Sequence, residues 1–261
     1  KALAKEQKRE LWQIINPQAR RLPVPVGNVV GGGLHSTHYS YRTVFQEFLL
    51  IPQEKSFKKN VSLMQSVHSH LKKKLNAKVM NDEGAWQTSL DEEKILQILY
   101  SFKKIKIGID IAASTFYKNK SYHYQDKTLT SEEQRDYLTQ LQKKYNLFYL
   151  EDPFNEEDFS SFAKIPRSKN HLLVGDDLTA THFPRVKKAV KSKAINAVII
   201  KPNQNGSLLA LQEIFSYCKK HNITTILSHR SGETLDNALA DYAFGFHADY
   251  IKCGIATKWR E

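Results

Sequence analysis

From residue 100 onward, short apolar runs alternate with stretches whose apolar residues recur every three or four positions. This is the pattern of parallel strands joined by crossover helices. The runs occupy residues 105–109, 147–150, 172–174, 197–200, 223–227 and 250–251. Between them, Thr130 and Glu133 spell a capping box ahead of Tyr137, Leu138 and Leu141. Ser207 precedes Leu208, Leu211, Ile214, Phe215 and Cys218, which share one helix face, and Pro202 and Gly206 punctuate the loop before them.

Upstream the rhythm changes. Val24, Val26 and Val30 lead into Gly31, Gly32 and Gly33, and a second apolar run, 45–51, follows after one short loop. That loop is too short for a helical crossover, so the two runs are expected to pair antiparallel. Phe57, Val61, Met64, Val67, Leu71 and Leu75 then predict a helix. Ser89 with Glu92 predicts a capped second one carrying Ile95, Leu96, Ile98 and Leu99. The opening segment is helical in pattern, so residues 1–20 are expected to form a leading helix with no domain of their own. Eight strands in all predict an α/β protein, a TIM-type (β/α)8 barrel in one domain over residues 1–261.

What each run ends in is more informative than the runs. In order they close on Asp110, Glu151, Asp176, Lys201, Ser228 with His229 and Arg230, and Lys252, and from Glu151 to Lys252 the steps, counted to His229, are 25, 25, 28 and 23 residues. Ionisable groups at the carboxyl end of successive strands are what a barrel enzyme needs, because its site is built at that rim. An open doubly wound sheet would gather its ligand at one switch point instead.

Composition narrows the classes. With 261 residues, 41% hydrophobic and 25% charged, the chain can bury a core, which excludes disorder and fibres. The formal net charge of +12 invites a nucleic-acid partner. The lysines, however, are spread in pairs along helical patterns (Lys58 and Lys59, Lys143 and Lys144, Lys187 and Lys188, Lys219 and Lys220), which reads as a solvated outer face, so no nucleic acid is expected. Cys218 and Cys253 form neither a disulfide framework nor a metal spacing, so a reducing compartment is expected. No apolar run approaches the roughly 20 residues of a membrane span, and the reading is a cytoplasmic protein.

Asp110, Glu151 and Asp176 on consecutive strand ends cannot all stay ionised without a cation. An all-oxygen set suits Mg²⁺ better than Zn²⁺. The alternative is that these carboxylates pair with Lys201 and Lys252 as buried salt bridges. A lysine beside a metal and a second ammonium has its charged form disfavoured and can serve as a base.

Taken together, these segments resemble enolase. Gly108-Ile-Asp-Ile-Ala-Ala-Ser114, Glu151-Asp-Pro-Phe154 and Asp176-Asp-Leu-Thr179 are similar to the family's three metal motifs. Lys201-Pro-Asn-Gln204, Ser228-His-Arg-Ser-Gly-Glu-Thr234 and Ile251-Lys252 are similar to its other rim segments, in the family's order. The resemblance runs from about Pro23 to the C-terminus and implies a ββαα(βα)6 barrel. It implies reversible, Mg²⁺-dependent dehydration of 2-phosphoglycerate to phosphoenolpyruvate in glycolysis and gluconeogenesis. Lys201 would be the base, and Asp110, Glu151 and Asp176 the metal ligands; Lys252, Arg230, Ser231, Ser228 and Gln46 would contact the phosphorylated substrate. Glu83, in Asn81-Asp-Glu-Gly84, resembles the general acid, Glu47 its partner carboxylate, and His229 a neighbour of both. A loop histidine is implied as well, and both His35 and His38 fit it. A homodimer is the family's common state.

Three departures stand out. Glu83 is followed by Gly84-Ala85-Trp86 where the family has two glycines, so its loop is expected to be stiffer or displaced. The chain begins at Lys1 with no counterpart of the family's N-terminal capping domain, and 254–261 is too short for a last barrel helix. A separate capping segment is therefore an expected partner. The alternatives to an enzyme are a barrel inactive without that segment and a non-catalytic binding module. A sugar-acid dehydratase of the same superfamily would place a lysine pair on an early strand, and the 45–51 run has none.

Overall fold

The structure, a computed structural model, describes residues 1–36, 38–166, 170–230, 234 and 236–255. Eight strands form a closed ring: β1 Val24–Gly31, β2 Glu47–Pro52, β3 Ile105–Asp110, β4 Tyr149–Glu151, β5 Leu172–Gly175, β6 Ala197–Ile200, β7 Thr224–Ser228 and β8 Tyr250–Gly254. Each pairs with its neighbour in chain order, and β8 returns to pair with β1. As the short intervening loop predicts, β1 and β2 are antiparallel, and so are β2 and β3. Thus β2 alone runs against the other seven strands. The barrel expectation and the strand count both hold.

The period-2 alternation of each strand sorts its residues between two cores. Val26, Leu49, Ile51, Tyr149, Val174, Ala197, Ile199 and Ile226 point inward and fill the barrel. Phe48, Leu50, Ile107, Ile109, Leu150, Val198, Ile200 and Leu227 point outward under the helices. Gly108 has a specific reason to lack a side chain: a Cβ there would lie 2.8 Å from the Tyr149 Cβ on the adjacent strand. The large ring of Tyr149 thereby fits inside the barrel, fully buried.

Two expectations need correction. Residues 1–20 are not one helix: short helices α1 (Ala2–Glu6) and α2 (Leu11–Ile15) are separated by Lys8 at φ 50° and by Glu10, whose capping box with Gln13 starts the second. The aromatic ring of Trp12 in α2 meets Phe244 edge-on at 4.9 Å, docking the segment on helix 238–245. The helix Glu92–Tyr100 is capped by Asp91, not Ser89: Lys94 N donates to Asp91 Oδ1 at 2.8 Å. Glu92 turns inward instead and accepts from Tyr137 and Thr43.

One element has no counterpart in the sequence reading. A three-stranded sheet (117–118, 121–123, 128–129) follows β3. Its first turn places Asn119 and Lys120 at φ 51° and 61°, the conformation usually signalled by Asn-Gly. Lysine in the second position hides that signal.

Candidate active site

The site is the uppermost inward-facing layer of the barrel. Continuing the inner alternation beyond Leu49 gives Glu47, beyond Gly108 gives Asp110, beyond Tyr149 gives Glu151, and beyond Ile199 gives Lys201. Strand register aligns Glu47 with Asp110 and Asp110 with Glu151, while Lys252 pairs with Ser228 on one side and Val26 on the other. Because β2 is reversed, Glu47 reaches this rim from the start of its strand, whereas the other groups sit at strand ends. A cavity of about 180 Å³ opens here, bordered by His35, Gln46, Glu47, Glu83, Asp110, Asp176, Lys201, Ser228, His229, Arg230 and Lys252. Glu151 lies beneath it, fully buried.

Lys252 is the electrostatic centre. Its Nζ lies 2.8 Å from both Glu151 oxygens, 2.9 Å from Glu47 Oε2 and 3.1 Å from Asp110 Oδ2. Burial opposes its charge, but Asp110, Glu151 and Glu47 outweigh burial and hold the ammonium well above the ordinary lysine range. Lys201 Nζ donates to Asp176 Oδ2, and despite burial and the repulsion of Lys252 this partner holds Lys201 above its ordinary value. Both lysines thus stand in salt bridges with the rim carboxylates, the pairing that the sequence left open as an alternative. The two ammonium ions do not balance the acids. Burial and Asp110 push Glu151 well above the carboxylate range, and burial also raises Asp110. Tyr149 Oη donates to Glu151 Oε2 at 2.5 Å, supporting that carboxylate from inside the barrel.

A second group faces the first. His35 Nδ1 lies 3.3 Å from Glu47 Oε1 and 3.9 Å from Glu83 Oε2. His229 Nε2 is 3.5 Å from Glu83 Oε1, and Asn28 Nδ2 donates to Glu83 Oε2 at 3.0 Å. Burial, with Glu47 as a neighbouring negative charge, pushes Glu83 up to about 7. Glu47 goes the other way: burial would raise it, but Lys252 and His35 hold it well below the usual range. Two carboxyl groups are thus driven apart, one toward an acid and one toward a permanent anion, which is how acid and base roles are separated in an enzyme site. His35 is raised to about 9, Glu47 overcoming the burial that opposes its charge.

Of the two loop histidines, His35 borders the cavity while His38 is exposed, its ring edge-on to Tyr39 at 4.8 Å. The Glu83 loop and its Ala85-Trp86 continuation are braced by the helix Phe57–Lys74. His68 Nε2 meets the Gly84 carbonyl at 2.7 Å, and its ring stacks on Trp86. Ser231 lies outside the described residues. Arg230 is exposed at the mouth, and Ser228 Oγ donates to the His229 carbonyl at 3.1 Å.

The sequence reading passed over Asp152, Asn28, Tyr149 and Gln204. Asp152 accepts backbone N–H groups from Asp176, Asp177 and Leu178 at 3.1, 2.6 and 3.4 Å, fixing the turn that presents Asp176. Thr181 donates to Gln204 and accepts from Lys201 N, pinning the segment after β6. Asp152 and Gln204 stand in motifs already singled out; Asn28 and Tyr149 are visible only as inward positions of their strands.

The donor set fits a hard divalent cation. Glu151, Asp152 and Asp176 bring carboxylate oxygens within 4.8 Å of one another, and Asp176 Oδ1 is buried with no hydrogen-bond partner. Asp110 stands outside that group; Lys252 engages its Oδ2 and Ala112 N donates to its Oδ1 at 3.1 Å. No helix among the described residues is long and apolar enough to cross a membrane.

Residues 19–260 match the family model described as the enolase C-terminal TIM barrel domain. The chain is 38% identical to the enolase of Archaeoglobus fulgidus over 251 residues, covering 91% of this chain and 62% of that protein. It is 36% identical to the enolase of Sulfurisphaera tokodaii, covering 99% of this chain and 65% of the relative, and 35% identical to that of Thermoplasma acidophilum, with 94% and 65%. The chain thus spans less than two thirds of the length of these relatives.

Proposed function

Because the chain belongs to the enolase family, as its C-terminal barrel domain, we propose that its rim dehydrates 2-phosphoglycerate to phosphoenolpyruvate, reversibly and with Mg²⁺. The observation that carries this reading is the division of labour at the rim: a paired lysine, Lys201, on β6 and a carboxyl group near neutrality, Glu83, on a separate loop. Elimination of water needs a base at the carbon beside the carboxylate and an acid at the departing hydroxyl.

Asp110, Glu151 and Asp176 would hold the metal, with the unpartnered Oδ1 of Asp176 as one donor. When bound, Mg²⁺ supplies positive charge against the substrate carboxylate as that group gains a second negative charge. Lys252 remains an ammonium and adds to the same stabilisation. Lys201, parted from Asp176 and with its own proton lost to solvent, takes as the neutral amine the proton from the carbon beside the carboxylate. Glu83, protonated, gives its proton to the hydroxyl on the next carbon; the C–O bond breaks, the double bond forms and water leaves. Glu47 and His229 orient Glu83, and His35 closes the cavity beside them. Arg230, Ser231, Ser228 and Gln46 are assigned to the phosphate and carboxylate ends of the substrate. Arg230 suits the phosphate because its guanidinium presents several donors in one plane.

The test is phosphoenolpyruvate formation from 2-phosphoglycerate, with and without Mg²⁺, by this chain alone and with an enolase N-terminal segment added. Lys201→Ala should abolish product while Mg²⁺ affinity is retained. No product in either arrangement with Mg²⁺ bound, or a near-normal rate in Lys201→Ala, would sink the proposal.

A further inference from the structure

The acid loop and the histidine loop meet at the side chain that opens the Asn81-Asp-Glu-Gly84 segment. Asn81 lies half-buried between them. Its Oδ1 accepts from Glu83 N at 3.1 Å and Ala85 N at 2.9 Å, while its Nδ2 donates to the His35 carbonyl at 3.2 Å. The backbone closes the same turn, with Asn81 N donating to the Ala85 carbonyl at 2.9 Å and Gly84 N to the Asn81 carbonyl at 3.1 Å. One amide thus uses its acceptor to shape the loop that presents Glu83 and its donor to hold the loop that presents His35.

The last strand residue of β1 makes room for this arrangement. A Cβ on Gly31 would lie 2.6 Å from Asn81 Nδ2 and 3.2 Å from the His35 carbonyl oxygen, wedged against both ends of the bond between the loops. Only a residue without a side chain leaves that hydrogen bond its space.

We propose that Asn81 is a positioning residue that couples the Glu83 loop to the His35 loop and so sets the spacing of the acid and the histidine over the cavity. This rests on the dehydration reading for its catalytic consequence, but the coupling itself does not. Asn81 touches no reacting atom. Its effect passes through the 3.9 Å approach of His35 Nδ1 to Glu83 Oε2, and a misplacement of about 1 Å in such a geometry costs on the order of a hundredfold in rate.

The variants separate the two halves of the amide. Asn81→Asp keeps the acceptor for Glu83 N and Ala85 N but cannot donate to His35. Gly31→Ala drives the same bond apart sterically and adds no charge. Asn81→Ala removes both halves. Each is examined by steady-state kinetics and by amide hydrogen exchange at 33–36 and 81–85. The expected result is a kcat lowered by about tenfold in Asn81→Asp and Gly31→Ala, and by about a hundredfold in Asn81→Ala, with KM within about twofold. Exchange should quicken in both segments together in the first two variants. A fall in kcat/KM that lies entirely in KM, or exchange that quickens in one segment only, would overturn the proposal. If the unmodified protein forms no phosphoenolpyruvate, the dehydration reading fails by itself, and the exchange data still decide whether Asn81 couples the loops.

Discussion

Lys252 Nζ, on β8, lies 2.8 Å from each oxygen of Glu151, a fully buried carboxyl group at the end of β4 on the opposite side of the barrel. Removing one partner of a buried ion pair leaves the other uncompensated, at a cost of about 3–5 kcal/mol. Lys252→Met should therefore lower the urea midpoint markedly in chelator. Mg²⁺ should restore part of the loss, because a cation bound by the native state alone stabilises it. A midpoint that does not move in chelator would show that the acids do not depend on this ammonium.

Asp176→Asn removes the charge of the carboxylate whose Oδ1 has no partner and breaks the ion pair to Lys201. Mg²⁺ affinity by calorimetry should fall by about tenfold or more, given that even outer partners of metal ligands are worth that much. An unchanged affinity would remove Asp176 from the ligand set.

Glu83, held up to about 7 by burial and by Glu47, predicts an alkaline limit to turnover in the dehydration direction. The proton donor must be the acid form, so kcat should fall as pH rises through about 7. Glu83→Gln keeps the shape and accepts from Asn28, but has no acidic proton. It should lose about 10²–10⁴ in rate at every pH. A pH limit that persists in that variant at a measurable rate would belong to another group.

His68 gives a stability prediction independent of catalysis. Burial lowers its pKa below 6.5, the hydrogen bond to Gly84 only partly offsetting this. The unfolded chain therefore binds a proton that the folded chain resists, so stability is full above about pH 6.5 and declines as pH falls below it. His68→Gln should flatten that part of a urea-midpoint profile between pH 7.5 and 5.5. An identical slope in wild type and variant would assign it elsewhere.

The ring, its strand order and most of its rim were legible because period-2 alternation makes the residue at a strand end an extension of the inner layer. Asp110, Glu151, Asp176 and Lys201 could be read off in that way. Glu47 could not, since it opens a reversed strand, and only its resemblance to a family motif pointed to it. His35 and His38 are equivalent in sequence; the 3₁₀ turn at 33–35 decides which borders the cavity. Asp152 and Asn81 stayed hidden for another reason: each acts by accepting backbone N–H groups, and a bond to backbone leaves no mark on the identity of the donor. The cap of the helix Glu92–Tyr100 falls on Asp91 although Glu92 fits the capping-box spelling from Ser89, because the Glu92 side chain is drawn inward by Tyr137 and Thr43.

The reversal of β2 has an architectural corollary. After each of the parallel strands β3 to β7 the rim segment leads from a strand to a helix, so a change in its length tugs on the outer shell. The segment 32–46 instead links two adjacent strands of one hairpin, Gly31 being paired with Glu47. A residue added to it lengthens one hairpin and shifts no strand-to-helix connection, although Thr43 ties the segment to Glu92 of the neighbouring helix. The mouth of the cavity thus rests on a hairpin connection, while the charged floor beneath it rests on the strands themselves.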